Sequence, residues 1–323
     1  LTALVAIDIG GTHARFALAA ISAGGAITLG EPTVLQTRDH PSFADAWAAF
    51  AHQQGAHLPR AAAIAVAGPV TGDEIRFTNN PWALHPARLA ADLGVDRLAI
   101  LNDFAAVAHA VAHAPPDQFL PLCGPDTDLP ARGTISVIGP GTGLGVAHLC
   151  RDGAGGAWVQ PTEGGHFAFA PLDPIDDAIL AHLRQHHARV SVERVVSGPG
   201  IVAIHAALAA QDGRAIAPLD DRTIWGRGIA GQDELATAAV ERFCLSLGAV
   251  AGDIALVQGA GGVVIAGGLG LRLRETLRRS GFARRFVAKG RFEPMMAAIP
   301  VKLITHPQPG LLGAVAAFAQ QHV

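Results

Sequence analysis

Glycine and threonine stand together at two points where one apolar run ends and another begins. The first is Asp8-Ile9-Gly10-Gly11-Thr12, and the second is Gly139-Pro140-Gly141-Thr142-Gly143, about 130 residues further on. Glycine has no Cβ, so its N–H can meet a close neighbour, and Gly10 and Gly11 can take φ > 0. Thr12 adds a hydroxyl, and a turn of this composition can surround a phosphate with donors. Asp8 ends its strand with a carboxylate suited to a hydrated Mg²⁺. From the first stretch alone, a plain hairpin with a structural aspartate fits equally well. Two such turns in matching contexts favour a polyphosphate gripped from both sides. Neither turn is a Walker A loop, because no Gly-Lys-Ser/Thr follows, and no GxGxxG joins a strand to a helix.

Asn102-Asp103 falls where a strand gives way to a helix, a place where side chains face a cleft. Asp103 reads either as a helix N-cap or as the group that orients a hydroxyl and accepts its proton late in a loose transition state. Glu163, His166 and Glu193 form a polar set suited to a sugar, whose ring of hydroxyls needs several acceptors at once. A transition metal on Glu163, His166 and a further histidine is the competing reading, but His182, His186 and His187 fit a solvated helix face better. Gly267-Gly268, between a buried strand and a helix, would let an adenine or ribose lie against backbone. A tight βα turn explains the pair as well.

The elements that position these residues follow from periodicity. Strands are expected at 4–9, 16–20, 27–36, 62–67, 74–78, 98–101, 134–138, 144–150, 158–162, 263–266 and 301–304. Helices are expected at 42–54, 86–93, 105–113, 175–187, 201–210, 234–257, 271–279 and 310–321. Asn79-Asn80-Pro81-Trp82 reads as a polar loop with a rigid aromatic. Pro115 to Pro130, with five prolines, reads as a domain junction. Each half therefore opens with antiparallel strands and continues into alternating strands and helices, a duplicated mixed α/β architecture.

Bulk properties bound the function. Half of the 323 residues are hydrophobic and 16% are charged, ample for large cores. A formal net charge of −3 without a basic run argues against a nucleic-acid surface. Cys123, Cys150 and Cys244 are far apart and form no CxxC, which suits a reduced cytosolic protein without structural zinc. Asp8 and Arg15 interrupt the first apolar stretch, so no signal peptide is expected. Leu245 to Leu271 is broken by Asp253 and by Gly259-Ala260-Gly261-Gly262, and reads as a buried helix and strand rather than a membrane span.

DIGGTHARFAL, LNDFAAVAHA, GPGTGLGVAHL, TEGGHFAFAP, VERVVSGPGI, IAGGLGLRL, KGRF and PGLLGA occur in this order along nearly the whole chain. Together they resemble the bacterial glucokinase family, of the hexokinase/actin/Hsp70-type (ribonuclease H-like) fold superfamily. The resemblance implies two domains, 1–113 plus 302–323 and 114–301, with an interdomain cleft that closes on the sugar. It implies Asp103 as catalytic base for the sugar 6-hydroxyl and Asn102 on the neighbouring hydroxyl. Glu163, His166 and Glu193 would hold the anomeric end and other hydroxyls of glucose, with a loop at Asn79 and Asn80 closing over it. Gly10, Gly11 and Thr12 would form the first phosphate motif for ATP, with Asp8 near Mg²⁺ through water and the nucleotide. Gly141, Thr142 and Gly143 would form the second, and Gly267 and Gly268 the adenosine motif.

The activity implied is ATP-dependent phosphorylation of D-glucose at its 6-hydroxyl, in a cytoplasmic homodimer without nucleic-acid or membrane partners. Phe167-Ala168-Phe169 follows Gly165-His166 without cysteines, and no helix-turn-helix opens the chain, which argues against the zinc-bearing ROK branch and its repressors. A kinase for another hexose or an N-acetylated amino sugar is the alternative. A non-catalytic sugar sensor is a further one, disfavoured by the intact Asp103 and both phosphate turns. A structural actin-like polymer would leave the polar sugar set without a purpose.

Overall fold

Apolar runs without polar interruption become the inner strands of two mixed sheets, since both of their faces are covered. The computed structural model describes residues 1–55, 57–77 and 80–323. It divides into two units, residues 1–114 with 306–323, and residues 115–305. The first unit contains β1 (Thr2–Ile9), β2 (His13–Ile21), β3 (Ile27–Leu29), β4 (Thr33–Gln36), α1 (Phe43–Gln54), β5 (Ala61–Val66), β6 (Ile75–Phe77), β7 (Asn80–Leu84), α2 (Pro86–Leu93), β8 (Arg97–Asn102) and α3 (Asp103–His113). Its sheet runs β3-β2-β1-β5-β8, with β4 also paired to β2. β1 is antiparallel to β2 and parallel to β5, which is parallel to β8. Every residue of β5 is buried.

The second unit contains β9 (Phe119–Cys123), β10 (Arg132–Pro140), β11 (Leu144–Asp152), β12 (Ala157–Thr162), α4 (Pro174–Arg184), α5 (Gly200–Gln211), α6 (Asp221–Ile229), α7 (Glu234–Gln258), β13 (Ala260–Ile265), α8 (Gly267–Arg272), α9 (Arg274–Arg279), α10 (Phe282–Val287), α11 (Glu293–Ala297) and β14 (Val301–Ile304). Its sheet runs β12-β11-β10-β13-β14-β9. The first five strands repeat the order and directions of the first unit: three antiparallel strands, then two parallel to the hairpin's first strand. The duplicated mixed α/β architecture is therefore present in both sheets. The last helix, α12 (Pro309–His322), packs on α3 and the sheet of the first unit.

Cores form as the patterns require. Phe16 stacks on Phe43 and Phe50 in the first unit, with ring centroids 6.1 and 5.1 Å apart. In the second, buried α7 lies at the centre of an aliphatic cluster with Trp225 against Phe243. Among the described residues, no helix is long and apolar enough to cross a membrane.

Several expectations need correction. The strand expected over 27–36 is two strands, because Gly30-Glu31-Pro32 intervenes and Pro32 has no N–H for a ladder. Asn80-Pro81-Trp82, expected as a loop, begins β7; Trp82 is buried and its indole N–H donates to the His40 carbonyl at 2.8 Å. The proline-rich junction contains β9, where Pro121 is tolerated because β9 is an edge strand. The helix expected at 271–279 starts at Gly267 and breaks at buried Leu273. The short helices α6, α10 and α11 were not anticipated. Finally, β14 was expected to join the first domain with the last helix. It instead pairs with β13 and β9 in the second unit, so only α12 joins the first.

Candidate active site

β1, β5 and β8 run in one direction, so their carboxyl ends share an edge of the first sheet. Ile9, Val66 and Asn102 are in register across it, which places Asn102 two strand spacings, about 10 Å, from Ile9. The turn at Gly10, Gly11 and Thr12 leaves this edge and is closed by the Gly10 N–H donating to His13 O at 2.9 Å. Asp8 stands just before the turn and pairs with its cross-strand partner Arg15, Nη1 to Oδ2 at 3.3 Å. A Cβ on Gly310, in the first turn of α12, would lie 2.9 Å from the Asp8 carboxylate, so the positive end of that helix faces it. Burial nevertheless raises the Asp8 pKa, outweighing Arg15. A divalent cation nearby would favour the ionised form, and a carboxylate oxygen is the hard donor that Mg²⁺ takes.

Asn102 rather than Asp103 caps α3. Its Oδ1 accepts from the N–H groups of Phe104 and Ala105 at 2.9 and 3.1 Å, and its Nδ2 donates to the Gly68 carbonyl at 3.1 Å. Asp103 is thereby the first helical residue, and the capped turn beneath it is rigid. The cap reading weighed for Asp103 belongs to its neighbour.

In the second unit β10, β12 and β13 run alike, which brings their carboxyl ends together. Gly141-Thr142-Gly143 leaves this edge, its Gly141 N–H donating to Gly143 O at 2.8 Å. Gly267, at φ +87°, follows β13 beside the Pro140 carbonyl, 3.2 Å from where a Cβ would stand. Glu163 and His166 follow β12 as an exposed pair, Nε2 to Oε2 3.9 Å. Gly165 permits their close approach to the second turn, since a Cβ there would overlap the Leu144 carbonyl. The bridge between Ala168 and Ser191 then brings in Glu193, whose Oε2 accepts from the Leu144 N–H at 2.9 Å.

Asp8, Gly10, Gly11, Thr12, Asn102 and Asp103 are thus gathered at one sheet edge of the first unit. Gly141, Thr142, Gly143, Glu163, His166, Glu193, Gly267 and Gly268 are gathered at one edge of the second. Asn79 lies outside the described residues. The φ > 0 region open to Gly10 and Gly11 is not used. Among the described residues, a Cβ on Gly141 or Gly268 would meet nothing within 4 Å, and one on Gly10 only an ordinary contact. Neither backbone strain nor packing within the chain demands glycine at these positions, whereas a ligand lying on the backbone would.

A cavity of about 320 Å³ opens beside the second turn, with Thr142 and Glu193 in its wall. His182, His186 and His187, expected on a solvated face, line it as well. Among the described residues no group of three or more His, Cys, Asp or Glu is placed to hold a metal ion. Arg189, which the sequence reading did not single out, donates Nη2 to the His166 carbonyl at 2.6 Å and fixes that segment. Nothing in its local pattern marks it.

Residues 4–322 match the family model for Glucokinase. The chain belongs to the glucokinase family. A glucokinase of Zymomonas mobilis is 56% identical over 319 residues, 99% of this chain and 98% of that protein. The crystal structure of a glucokinase from an Antarctic psychrotroph superposes with a TM-score of 0.86 at 34% identity, covering 99% of each chain. The glucokinase of Balamuthia mandrillaris, solved in complex with glucose, has a TM-score of 0.80 at 22% identity, over 99% of this chain and 94% of that one. That last likeness shows a shared fold. Within the glucokinase family this chain has the actin/hexokinase-type α/β fold.

Proposed function

We propose that this chain transfers the γ-phosphoryl group of ATP to the 6-hydroxyl of D-glucose, giving glucose 6-phosphate and ADP. The observation that carries the reading is the 56% identity to a glucokinase across almost the entire chain. The rigid Asn102–Asp103 step at the end of β8 supports it.

In this reading Asp103 accepts a hydrogen bond from the sugar 6-hydroxyl. It takes the proton as the bond to phosphorus forms, and the β–γ bridging oxygen leaves with ADP. A carboxylate cannot deprotonate an alcohol beforehand, so its contribution is orientation and late proton acceptance, about 10²–10⁴-fold. Asn102 and the Asn79–Asn80 segment would contact other sugar hydroxyls, and Glu163, His166 and Glu193 the anomeric end. Gly10, Gly11 and Thr12 in the first unit, and Gly141, Thr142 and Gly143 in the second, would present N–H and hydroxyl donors to the phosphates. Gly267 and Gly268 would lie under the adenosine. Asp8 would meet Mg²⁺ through water, and the ion, when bound, neutralises charge on the phosphate oxygens.

The same reading expects a homodimer in the cytoplasm, with division into domains near residues 114 and 305. The net charge of −3 without a basic run supports small-molecule partners over nucleic acid. Replacing Asp103 with Ala should leave glucose binding measurable while coupled phosphorylation falls very roughly 10³-fold. Near-normal turnover in that variant would refute the assignment. Competition among glucose, mannose, fructose and N-acetylglucosamine tests the sugar, and preference for one of the others would replace glucose in the reading.

A further inference from the structure

Thr37 lies outside every motif named above, yet it is the best-buried polar side chain near the first glycine turn, 3% exposed. It follows β4, where Gln36 pairs with His13 across the sheet and its Nε2 lies 3.0 Å from the His13 Nε2. From there Thr37 makes two hydrogen bonds to the turn. Its hydroxyl donates to the Gly11 carbonyl at 3.0 Å, and its N–H donates to the Thr12 carbonyl at 3.0 Å. Asn80 Nδ2 reaches the Gly10 carbonyl at 3.5 Å. All three carbonyls of the turn therefore have donors belonging to the chain.

The consequence follows from peptide geometry. In a trans peptide the carbonyl and the next N–H point in opposite directions. Holding the Gly11 carbonyl on Thr37 turns the Thr12 N–H the other way, and holding the Gly10 carbonyl does the same for the Gly11 N–H. A glycine pair without this restraint could present either dipole, and a carbonyl facing a phosphate repels it. Packing does not call for the hydroxyl, because valine has nearly the same shape.

Resting on the functional reading above, we infer that Thr37 is a positioning residue for nucleotide binding. It sets the polarity of the first turn, holding carbonyls inward and N–H groups outward toward the ATP phosphates.

The test is calorimetric titration of ATP with Mg²⁺, without sugar, into the whole protein, its Thr37→Val variant and its Thr37→Ser variant, followed by steady-state kinetics. Thr37→Val should weaken ATP binding and raise the KM for ATP about fivefold to tenfold, the loss of one buried hydrogen bond. The KM for glucose should stay within about twofold, and Thr37→Ser, which keeps the hydroxyl, should restore ATP affinity. Wild-type ATP affinity in the valine variant would overturn the inference, as would equal rises in both KM values or equal impairment of the serine variant. If the valine variant does not fold, Thr37→Cys, whose thiol is a weak donor, gives the same readout: a loss that serine recovers supports the inference, and unchanged affinity overturns it. A wild-type protein that binds no ATP would overturn the functional reading itself, whereas normal wild-type binding with an unaffected valine variant removes only the role of Thr37.

Discussion

The two glycine turns occupy the same place in the same strand order, but they are braced by different groups. The first is tied through its carbonyls by uncharged donors, Thr37 and Asn80. The second is held by a carboxylate: Glu193 accepts the Leu144 N–H and fills the space that a Cβ on Gly143 would need, while the Gly198 N–H donates to the Gly141 carbonyl at 2.7 Å. Strand order thus decides where a turn falls, and the brace beside it decides which backbone dipoles it presents. A link to the proposed sugar set occurs in both units. Glu193 is also one of the proposed sugar residues, so in the second unit the sugar set and the phosphate turn share a side chain. In the first unit Asn80, of the proposed sugar-contacting segment, likewise reaches the turn through the Gly10 carbonyl, whereas the Thr37 hydroxyl bonds to the Gly11 carbonyl from outside that set.

The largest effect that would sharpen this contrast comes from adding one methyl group to each end of the second turn. Gly141→Ala meets no atom of the described residues, so stability should hold or rise by about 0.5 kcal/mol. ATP affinity should nevertheless fall on the order of 10²-fold, because the methyl group occupies the ligand's approach. Gly143→Ala displaces Glu193 from the Leu144 N–H and should cost about 1 kcal/mol in a denaturant titration. Equal melting behaviour of the two variants would break the account of the brace.

The next effect concerns α3, the helix that carries Asp103. Burial and His113 push the His109 pKa down to about 4 from an ordinary 6.5. The unfolded chain therefore binds a proton that the folded one refuses. The stability this confers is complete above about pH 6.5 and is lost as pH falls toward 4, on the order of 3 kcal/mol in all. His109→Gln should flatten that part of the acid limb in urea titrations at stepped pH. An unchanged slope would remove His109 from the account.

The smallest effect bears on coupling. Glu193→Ala should weaken ATP binding about fivefold to tenfold even without sugar, since the Leu144 N–H loses its acceptor. Glu193→Gln keeps a carbonyl oxygen for that N–H and should bind ATP nearly as the wild type does. If nucleotide titrations show neither variant affected, Glu193 does not brace the turn.

Much of this arrangement was legible in the chain, for local reasons. Glycine and threonine between two apolar runs mark a hairpin, and unbroken runs such as Ala61–Val66 mark buried parallel strands. Asn102-Asp103 after an apolar strand marks a helix start, although the cap falls one residue earlier than the aspartate. What escaped depends on distant contacts. Asn80-Pro81 carries loop signals, yet Trp82 packs on Phe43 and bonds to His40, which draws the segment into a strand. Pro121 masks a strand that only its edge position allows. Thr37 reaches the turn across 26 residues of sequence, and no periodicity or motif points from one to the other.

The route of the last twenty residues has a consequence for synthesis. Residues 1–114 leave the ribosome without α12, which covers α3 and the sheet behind the first turn, while residues 115–305 form one uninterrupted stretch. At about 5–20 residues per second, roughly 190 residues of elongation separate α3 from the helix that completes its unit, a delay on the order of 10–40 s. The unit translated first therefore cannot complete its fold until the end of synthesis, and its apolar helix face spends that interval waiting for a partner not yet made.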